Sequence, residues 1–310
     1  MQYYKFTPEI TGEYCFESSD NAADPVIWLY DSEFNQLGYN DDSGGSLNFK
    51  LICSLDEDFT YYIVTSPYPT TTGTYTFKTL RSFSYVHYYD SSFAANATLR
   101  NNITLANEFS DYVFTKYFGI NFEMDGTASQ YATVLDDCTT GSGNPCTNAA
   151  CGSICNNDHH KNIWTIANQL YNSPREDEHV YILWTNRPYN TTYCCEEDGQ
   201  HMISEAIACV FNSWPVIHFF NIFGDDEEAQ LACMTLTLVH ETTHTLKMDD
   251  VDVESHDVDE NTVCIMEQFD EHTAYDFYKN VENGYVDPFC NSCMQILNEL
   301  TEAPFYFGNQ

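Results

Sequence analysis

The sequence predicts a multi-domain protein, with an N-terminal all-β sandwich over residues 1–82 and an α/β (α+β) domain over residues 83–310. The first domain is predicted from short alternating segments separated by turn residues, a pattern typical of small antiparallel sheets. The second is predicted from strands that alternate with helical patterns, as in layered α/β domains. Because 43% of the residues are hydrophobic, the chain is too apolar to be a disordered acidic segment.

Five strands are predicted in the first domain. Turn sequences such as NDDSGG and TTTG separate them, and no helical period is present. The strands are EYCFES, PVIWLYD, FKLICSL, FTYYIVTS and GTYTFKTL. Cys15 and Cys53 are the only cysteines before residue 138, which makes them the natural disulfide partners if this domain folds by itself.

The second domain begins with a predicted strand, FSYVHYYDSSF, and continues with a helix from Ala94 to Tyr117. Apolar residues recur at helical spacing along that helix. They are Leu99, Ile103, Ala106, Phe109, Val113 and Tyr117. The strand INFEMDGT, the helix IWTIANQLYNS and the buried strand HVYILWTN follow in that order.

The formal net charge of −36 excludes several classes of partner. With 11 Lys and Arg against 47 Asp and Glu, the chain lacks the clustered cations that phosphate neutralisation requires. The same acidity disfavours docking on an anionic membrane surface, and no apolar run reaches transmembrane length. We therefore expect no nucleic-acid partner and no membrane insertion.

The chain carries 13 cysteines, which is unusual in a reduced cytosolic enzyme. Their number favours an oxidising, extracytoplasmic compartment, so we expect a secreted protein whose export signal is not part of this sequence. Sequence alone does not determine how these cysteines pair.

The strongest chemical signal is His240-Glu241-Thr-Thr-His244, at the end of an amphipathic helix that begins near Asp225 or Asp226. Residues four apart lie one turn above each other on a helix, so His240 and His244 can present two imidazole nitrogens to one Zn²⁺. Glu241 can reach a zinc-bound water without ligating the metal and act as its general base. This arrangement predicts attack of a zinc-activated hydroxide on a carbonyl group.

Beyond that motif, the segment Leu246-Lys-Met248-Asp-Asp250 and the downstream Cys264-Ile265-Met266 resemble the metzincin clan, and within it the adamalysin/reprolysin family. The order of the preceding segments (strand, long helix, strand, helix, strand, edge segment, active-site helix) is similar as well. The resemblance covers roughly residues 83–275 and implies a zinc metalloendopeptidase. It also implies that Met266 forms a hydrophobic floor beneath the metal.

Two positions depart from the family pattern. Asp250 stands where the family has its third histidine ligand, and Lys247 stands where it has glycine. A carboxylate oxygen is an acceptable zinc ligand, so the resemblance assigns the third position to Asp250. Asp249 and His256 are the alternative ligands.

Residues 1–82 resemble the bacterial pre-peptidase C-terminal domain. The matching features include Thr11-Gly-Glu-Tyr14, the strand end Trp28-Leu-Tyr-Asp31 and Thr72-Gly-Thr-Tyr75. Such domains accompany secreted peptidases, so the resemblance implies export and an enzymatic neighbour. It implies no chemistry in this domain.

Other features of the sequence leave alternatives open. Asp41-Asp42 and the acidic run Asp250–Glu260 are candidate Ca²⁺ ligands, although solvated loops are the more common explanation. Cys290-Asn-Ser-Cys293 has zinc-ribbon spacing, but a disulfide, including one to Cys264, is favoured because no second CxxC exists.

The main prediction is a zinc metalloendopeptidase that acts on protein or peptide substrates, with the edge segment Val216–Phe223 pairing with an extended substrate strand. A second hypothesis is a catalytically degenerate metzincin fold that serves adhesion or binding, motivated by Lys247 and the missing third histidine. A third is a zinc peptidase whose third ligand is a downstream glutamate.

Overall fold

The computed structural model describes part of the chain. The described residues are 1–19, 23–45, 47–69, 71–89, 91–130, 179–184, 191–193, 202–204, 208–210, 216–219, 226–245, 264–266 and 271–295. Strands and helices both occur in this part, which confirms the predicted mixture of α and β structure.

The chain divides into two compact units. The first comprises Met1–Phe83 and Phe114–Glu123, and the second comprises Ser84–Val113 and Met124–Gln310. The boundary predicted after residue 82 falls inside one long strand, β7 (Thr76–Tyr89), whose residues up to Phe83 belong to the first unit.

The first unit contains two sheets. Six strands precede β7, namely β1 (Gln2–Phe6), β2 (Gly12–Ser19), β3 (Pro25–Tyr30), β4 (Gln36–Asn40), β5 (Lys50–Leu55) and β6 (Tyr61–Pro67). One antiparallel sheet has the order β1-β6-β3-β4. In the other, β2 pairs antiparallel with β5 on one side and with β7 on the other.

The two sheets of the first unit share one hydrophobic core, because alternate residues of each strand point to the same side. Its members come from β2, β3, β5 and β6 and from the residue before β5. They are Tyr14, Phe16, Ile27, Leu29, Phe49, Leu51, Leu55, Tyr61 and Ile63. Two packed antiparallel sheets are the arrangement that the alternating sequence pattern predicts.

The predicted disulfide between Cys15 and Cys53 is wrong. In the β2–β5 register Cys15 lies opposite Ile52, and Cys53 lies opposite Tyr14. This offset of one residue places the two side chains on opposite faces of the sheet, because the side-chain period of a strand is two. The sulfur of Cys53 packs on the core side with Tyr14.

The second unit contains the rest of β7 and most of the later elements. Helix α2 (Ala97–Phe118) crosses the boundary after Val113, and strand β8 (Ile120–Met124) belongs to the first unit except for Met124. The other elements as far as β14 are α1 (Ser91–Ala94), β9 (Ser129–Gln130), β10 (His179–Trp184), β11 (Thr191–Tyr193), β12 (Met202–Ser204), β13 (Ala208–Val210) and β14 (Val216–Phe219). β7 pairs parallel with β10, and β10 pairs parallel with β14. β8 and β9 also pair with β7, and β11 with β12 form a separate antiparallel pair.

The expectation that Val216–Phe219 is an edge segment is wrong. β14 pairs parallel with β10 on one side and antiparallel with β13 on the other. A strand whose two backbone edges are both used has no free donors or acceptors for a substrate strand. Among the described strands, β13 lies at the end of the sheet next to β14. Residues 220–223 lie outside the described part.

Helix α2 confirms the helix predicted over Ala94–Tyr117. It begins after Asn96, whose Oδ1 accepts a hydrogen bond from the N–H of Leu99 at 3.2 Å, as an N-cap residue does. It ends before Gly119, which has a φ of 66° and therefore adopts the left-handed conformation that favours glycine. The predicted apolar positions are buried, apart from Tyr117, which is half-buried.

Two further helices complete the described part of the second unit, α3 (Glu227–Thr245) and α4 (Glu271–Glu282). No described helix has both the length and the apolar character needed to cross a membrane. The predicted helix IWTIANQLYNS lies outside the described residues.

Candidate functional site

Helix α3 carries the HETTH segment, and its start confirms the predicted cap. The Oδ1 of Asp226 accepts a hydrogen bond from the N–H of Ala229 at 2.8 Å, and Glu227 and Glu228 occupy the first turn. Acidic side chains there interact favourably with the exposed N–H groups of a helix N-terminus. The buried stripe predicted along this helix includes Met234 and Leu238.

The first residue of the motif contacts the Cys-Ile-Met turn. Nδ1 of His240 lies 2.9 Å from the backbone oxygen of Ile265, although 25 residues separate the two in sequence. A carbonyl oxygen only accepts, so Nδ1 carries the proton and donates it. In a neutral imidazole the lone pair then resides on Nε2, the tautomer in which metal-binding histidines are held by a second hydrogen bond.

The remaining predicted site residues differ in how far the structure describes them. Glu241 and Met266 are buried, with 7% and 5% of their surfaces exposed. His244 lies in α3 one turn after His240, and its side chain is outside the described part. Asp250 and the alternative ligands Asp249 and His256 are also outside it.

The two threonines of the HETTH segment make buried hydrogen bonds that the sequence analysis did not predict. The hydroxyl of Tyr85 on β7 lies 2.7 Å from Oγ1 of Thr242 and 2.9 Å from Oγ of Ser110 on α2. All three residues are buried. The hydroxyl of Thr243 donates to the carbonyl of Val239 at 2.8 Å and is thus satisfied within the helix. No spacing rule pairs Tyr85 with a residue of α3, so only the fold reveals this contact.

Among the residues that the structure describes, two groups of three side chains place potential metal ligands within 4.8 Å of one another. One consists of the buried thiols of Cys264, Cys290 and Cys293. The neighbouring Cys293 thiol and the backbone N–H groups of Cys290 and Met266 lower the pKa of Cys264 to about 6, against the effect of burial. The CxxC spacing was the sequence signal for this group.

The other group consists of Asp24, Asp41 and Asp42 in the first unit. Partial burial, and then repulsion from Asp42 and Asp41, raise the pKa of Asp24 above its ordinary value. The sequence offered Asp41 and Asp42 as candidate calcium ligands, with a solvated loop as the favoured interpretation, and did not reveal that Asp24 lies beside them. Calcium binding stays a prediction.

No family model matches the chain, and no curated protein is significantly similar to it. The metzincin and pre-peptidase resemblances therefore remain inferences from the sequence motifs.

Of the three predicted zinc ligands, His240 is the one whose side chain the structure describes, and its hydrogen bonding is compatible with a zinc ligand. The Nδ1–H of His240 donates a hydrogen bond to the backbone carbonyl of Ile265, which orients the ring. The lone pair of Nε2 is then left for a metal ion. Glu241 follows on the same helix and is shielded from bulk water. An imidazole ligand held in this way, next to a buried carboxylate, is a pair that metal-assisted hydrolysis uses.

Proposed function

We propose that the chain is a secreted, zinc-dependent metalloendopeptidase of the metzincin kind. The observation that carries this proposal is the hydrogen bond from His240 Nδ1 to the Ile265 carbonyl, at 2.9 Å. It joins the two sequence signals, HETTH and Cys-Ile-Met, on which the family resemblance rests. The 13 cysteines support secretion, because disulfides form and persist in oxidising compartments.

The order of the described elements also supports the proposal. Strand β7, helix α2, strand β8, strand β10 and helix α3 occur in the order that the resemblance implies, and the helix that it places between β8 and β10 lies outside the described residues. In the first unit, two sheets around one core are compatible with a pre-peptidase C-terminal-like β-sandwich.

In the proposed mechanism His240, His244 and Asp250 hold the zinc ion. When bound, zinc polarises the substrate carbonyl and lowers the pKa of water to about 7. Glu241 accepts a proton from the attacking water and returns it to the nitrogen of the leaving amine, as a general base and then a general acid. Burial of Glu241 excludes competing solvent from this proton transfer. Met266, which is buried, would serve as the hydrophobic floor of the site and would not bind the metal.

Substrate binding is assigned to a different strand from the one that the sequence favoured. Because β14 is paired on both sides, its neighbour β13, at that end of the described sheet, is the better candidate to pair with an extended peptide. The predicted substrates are proteins or peptides. We predict no nucleic-acid partner and no membrane insertion.

The substitution Glu241→Gln tests the function, because it keeps the shape of the side chain and removes the base. We expect unchanged zinc content and a loss of at least about 100-fold in the cleavage of an unfolded protein substrate such as casein. Glu228→Gln, in the exposed first turn of the same helix, is the matched control and should cleave normally.

Two outcomes would contradict the proposal. Full proteolysis by Glu241→Gln would exclude the mechanism. The second hypothesis, a degenerate fold that serves binding, would be supported by two observations on the wild-type chain. It would cleave no protein, and after incubation with excess Zn²⁺ its zinc content would equal that of His240→Ala.

A further inference from the structure

The three cysteines Cys264, Cys290 and Cys293 form a cluster at the base of the Cys-Ile-Met turn. They are buried, with exposures of 0%, 2% and 0%. Their sulfurs lie within 4.8 Å of one another, and the Sγ atoms of Cys264 and Cys293 are 3.6 Å apart. The proposed peptidase mechanism uses none of these thiols.

The spacing of the sulfurs matches a metal site better than a disulfide. A disulfide bond joins its sulfurs at about 2.05 Å. In a tetrahedral site with Zn–S distances of about 2.3 Å, neighbouring sulfurs are about 3.8 Å apart. The observed 3.6 Å between Cys264 and Cys293 is close to the second value. A disulfide would also use only two of the three buried thiols, whereas a metal ion uses all three.

The local backbone supports the same interpretation. Cys290 and Cys293 flank the start of a helical turn at 291–295, and residues three apart on a helix lie on the same side. The N–H of Cys290 donates to Sγ of Cys264 at 3.3 Å. Hydrogen bonds of this kind favour the thiolate, which is the form that binds a metal.

We propose that Cys264, Cys290 and Cys293 bind a second zinc ion, in a buried structural site separate from the zinc site proposed at His240. Thiolates select soft or borderline metals, and burial of all three cysteines keeps a substrate away from the ion, as in structural sites. We assign only the three thiolates; four-coordinate zinc takes one more ligand. This site does not depend on peptidase activity.

The site would fix the turn that positions His240. The N–H of Ile265 donates to the carbonyl of Pro288 at 2.8 Å, two residues before Cys290 in the sequence. The carbonyl of Ile265 accepts from Nδ1 of His240. A metal ion that joins Cys264 to the 290–293 segment would therefore hold both hydrogen bonds in register.

Cobalt substitution of the full-length chain tests the site, because Co²⁺ bound to thiolates absorbs through sulfur-to-metal charge transfer, whereas Co²⁺ bound only to imidazole and carboxylate does not. We expect this absorption in the wild type and in His240→Ala. We expect it to be lost in the double variant Cys290→Ser, Cys293→Ser. The control Cys53→Ser makes the same chemical change in the first unit and should keep the absorption.

A second measurement on the wild type avoids variants that fail to fold. The zinc-loaded protein is treated with a thiol-specific reagent, and peptide mapping measures how far each of the three cysteines is labelled. We expect zinc to be released in proportion to this labelling. Zinc release that does not follow this labelling would overturn the site. So would a Cys264–Cys293 disulfide in the isolated protein, or a wild-type cobalt spectrum without thiolate absorption. Failure of this site would leave the Glu241→Gln test unaffected.

Discussion

The hydroxyl of Tyr85 lies 2.7 Å from Oγ1 of Thr242, and this contact ties strand β7 to the middle of the HETTH segment. Ser110 of α2 completes the network at 2.9 Å from the same hydroxyl. Burial raises the pKa of Tyr85 above its ordinary value, so the phenol stays protonated and able to donate. One hydroxyl thus connects strand β7 with two helices.

Replacing Tyr85 with phenylalanine removes that hydroxyl and changes little else. We expect the free energy of unfolding to fall by about 1–3 kcal/mol, because the buried hydroxyls of Thr242 and Ser110 lose a partner. Chemical denaturation of the full chain measures the change. Tyr285→Phe removes the same atom from a side chain that is 78% exposed and should have no measurable effect. Equal stabilities of the two variants would show that the network contributes nothing.

His87 on β7 predicts how stability depends on pH. Its Nδ1 accepts from Nε1 of Trp184 at 2.9 Å, and its Nε2 donates to Oδ1 of Asn107 at 3.0 Å. This pattern requires the neutral ring. Burial lowers the pKa of His87 from 6.5 to about 4, opposed in part by the bond to Asn107.

Between pH 6.5 and about 4 the unfolded chain therefore binds a proton at His87 that the folded chain does not. This difference favours unfolding, so stability should fall as the pH decreases through this range, by about 3 kcal/mol from this residue. The variant His87→Gln cannot titrate, and its stability should fall less steeply. Denaturant unfolding of both proteins across the range isolates the contribution. Parallel pH profiles would contradict it.

The sequence could predict the elements that depend on local pattern. The cap at Asp226, the apolar face of α2 and the position of HETTH near the end of α3 follow from helical spacing within one segment. The two strands that the sequence predicted separately, GTYTFKTL and FSYVHYYDSSF, are instead parts of one strand, β7.

Contacts across the chain could not be predicted in this way. The predicted Cys15–Cys53 disulfide is wrong because the two cysteines are offset by one residue in the β2–β5 register. This offset places their side chains on opposite faces of the sheet. The predicted edge position of β14 is wrong because β13 pairs with its outer side. With three residues, β13 is too short to give a recognisable sequence pattern. The contact between His240 and Ile265 spans 25 residues, and only the family resemblance suggested it.

Met266 allows packing to be separated from catalysis in the proposed site. Its side chain is 5% exposed, and it follows the residue whose carbonyl holds His240. Truncation to alanine should leave a cavity and lower the free energy of unfolding by about 2–5 kcal/mol. The turn should then hold the His240 ring less firmly, so zinc content and proteolysis should fall as well.

Leucine conserves the volume of methionine and has no sulfur, so Met266→Leu distinguishes the two roles. If Met266 acts as a hydrophobic floor, Met266→Leu should lose less than about 1.5 kcal/mol and keep most of the proteolytic activity. Leu105→Ala truncates a side chain that is 42% exposed and serves as the control for apolar truncation. A stable Met266→Leu protein that binds zinc but does not cleave substrate would instead show that the sulfur itself is required, because the floor would be intact and only the thioether would be missing.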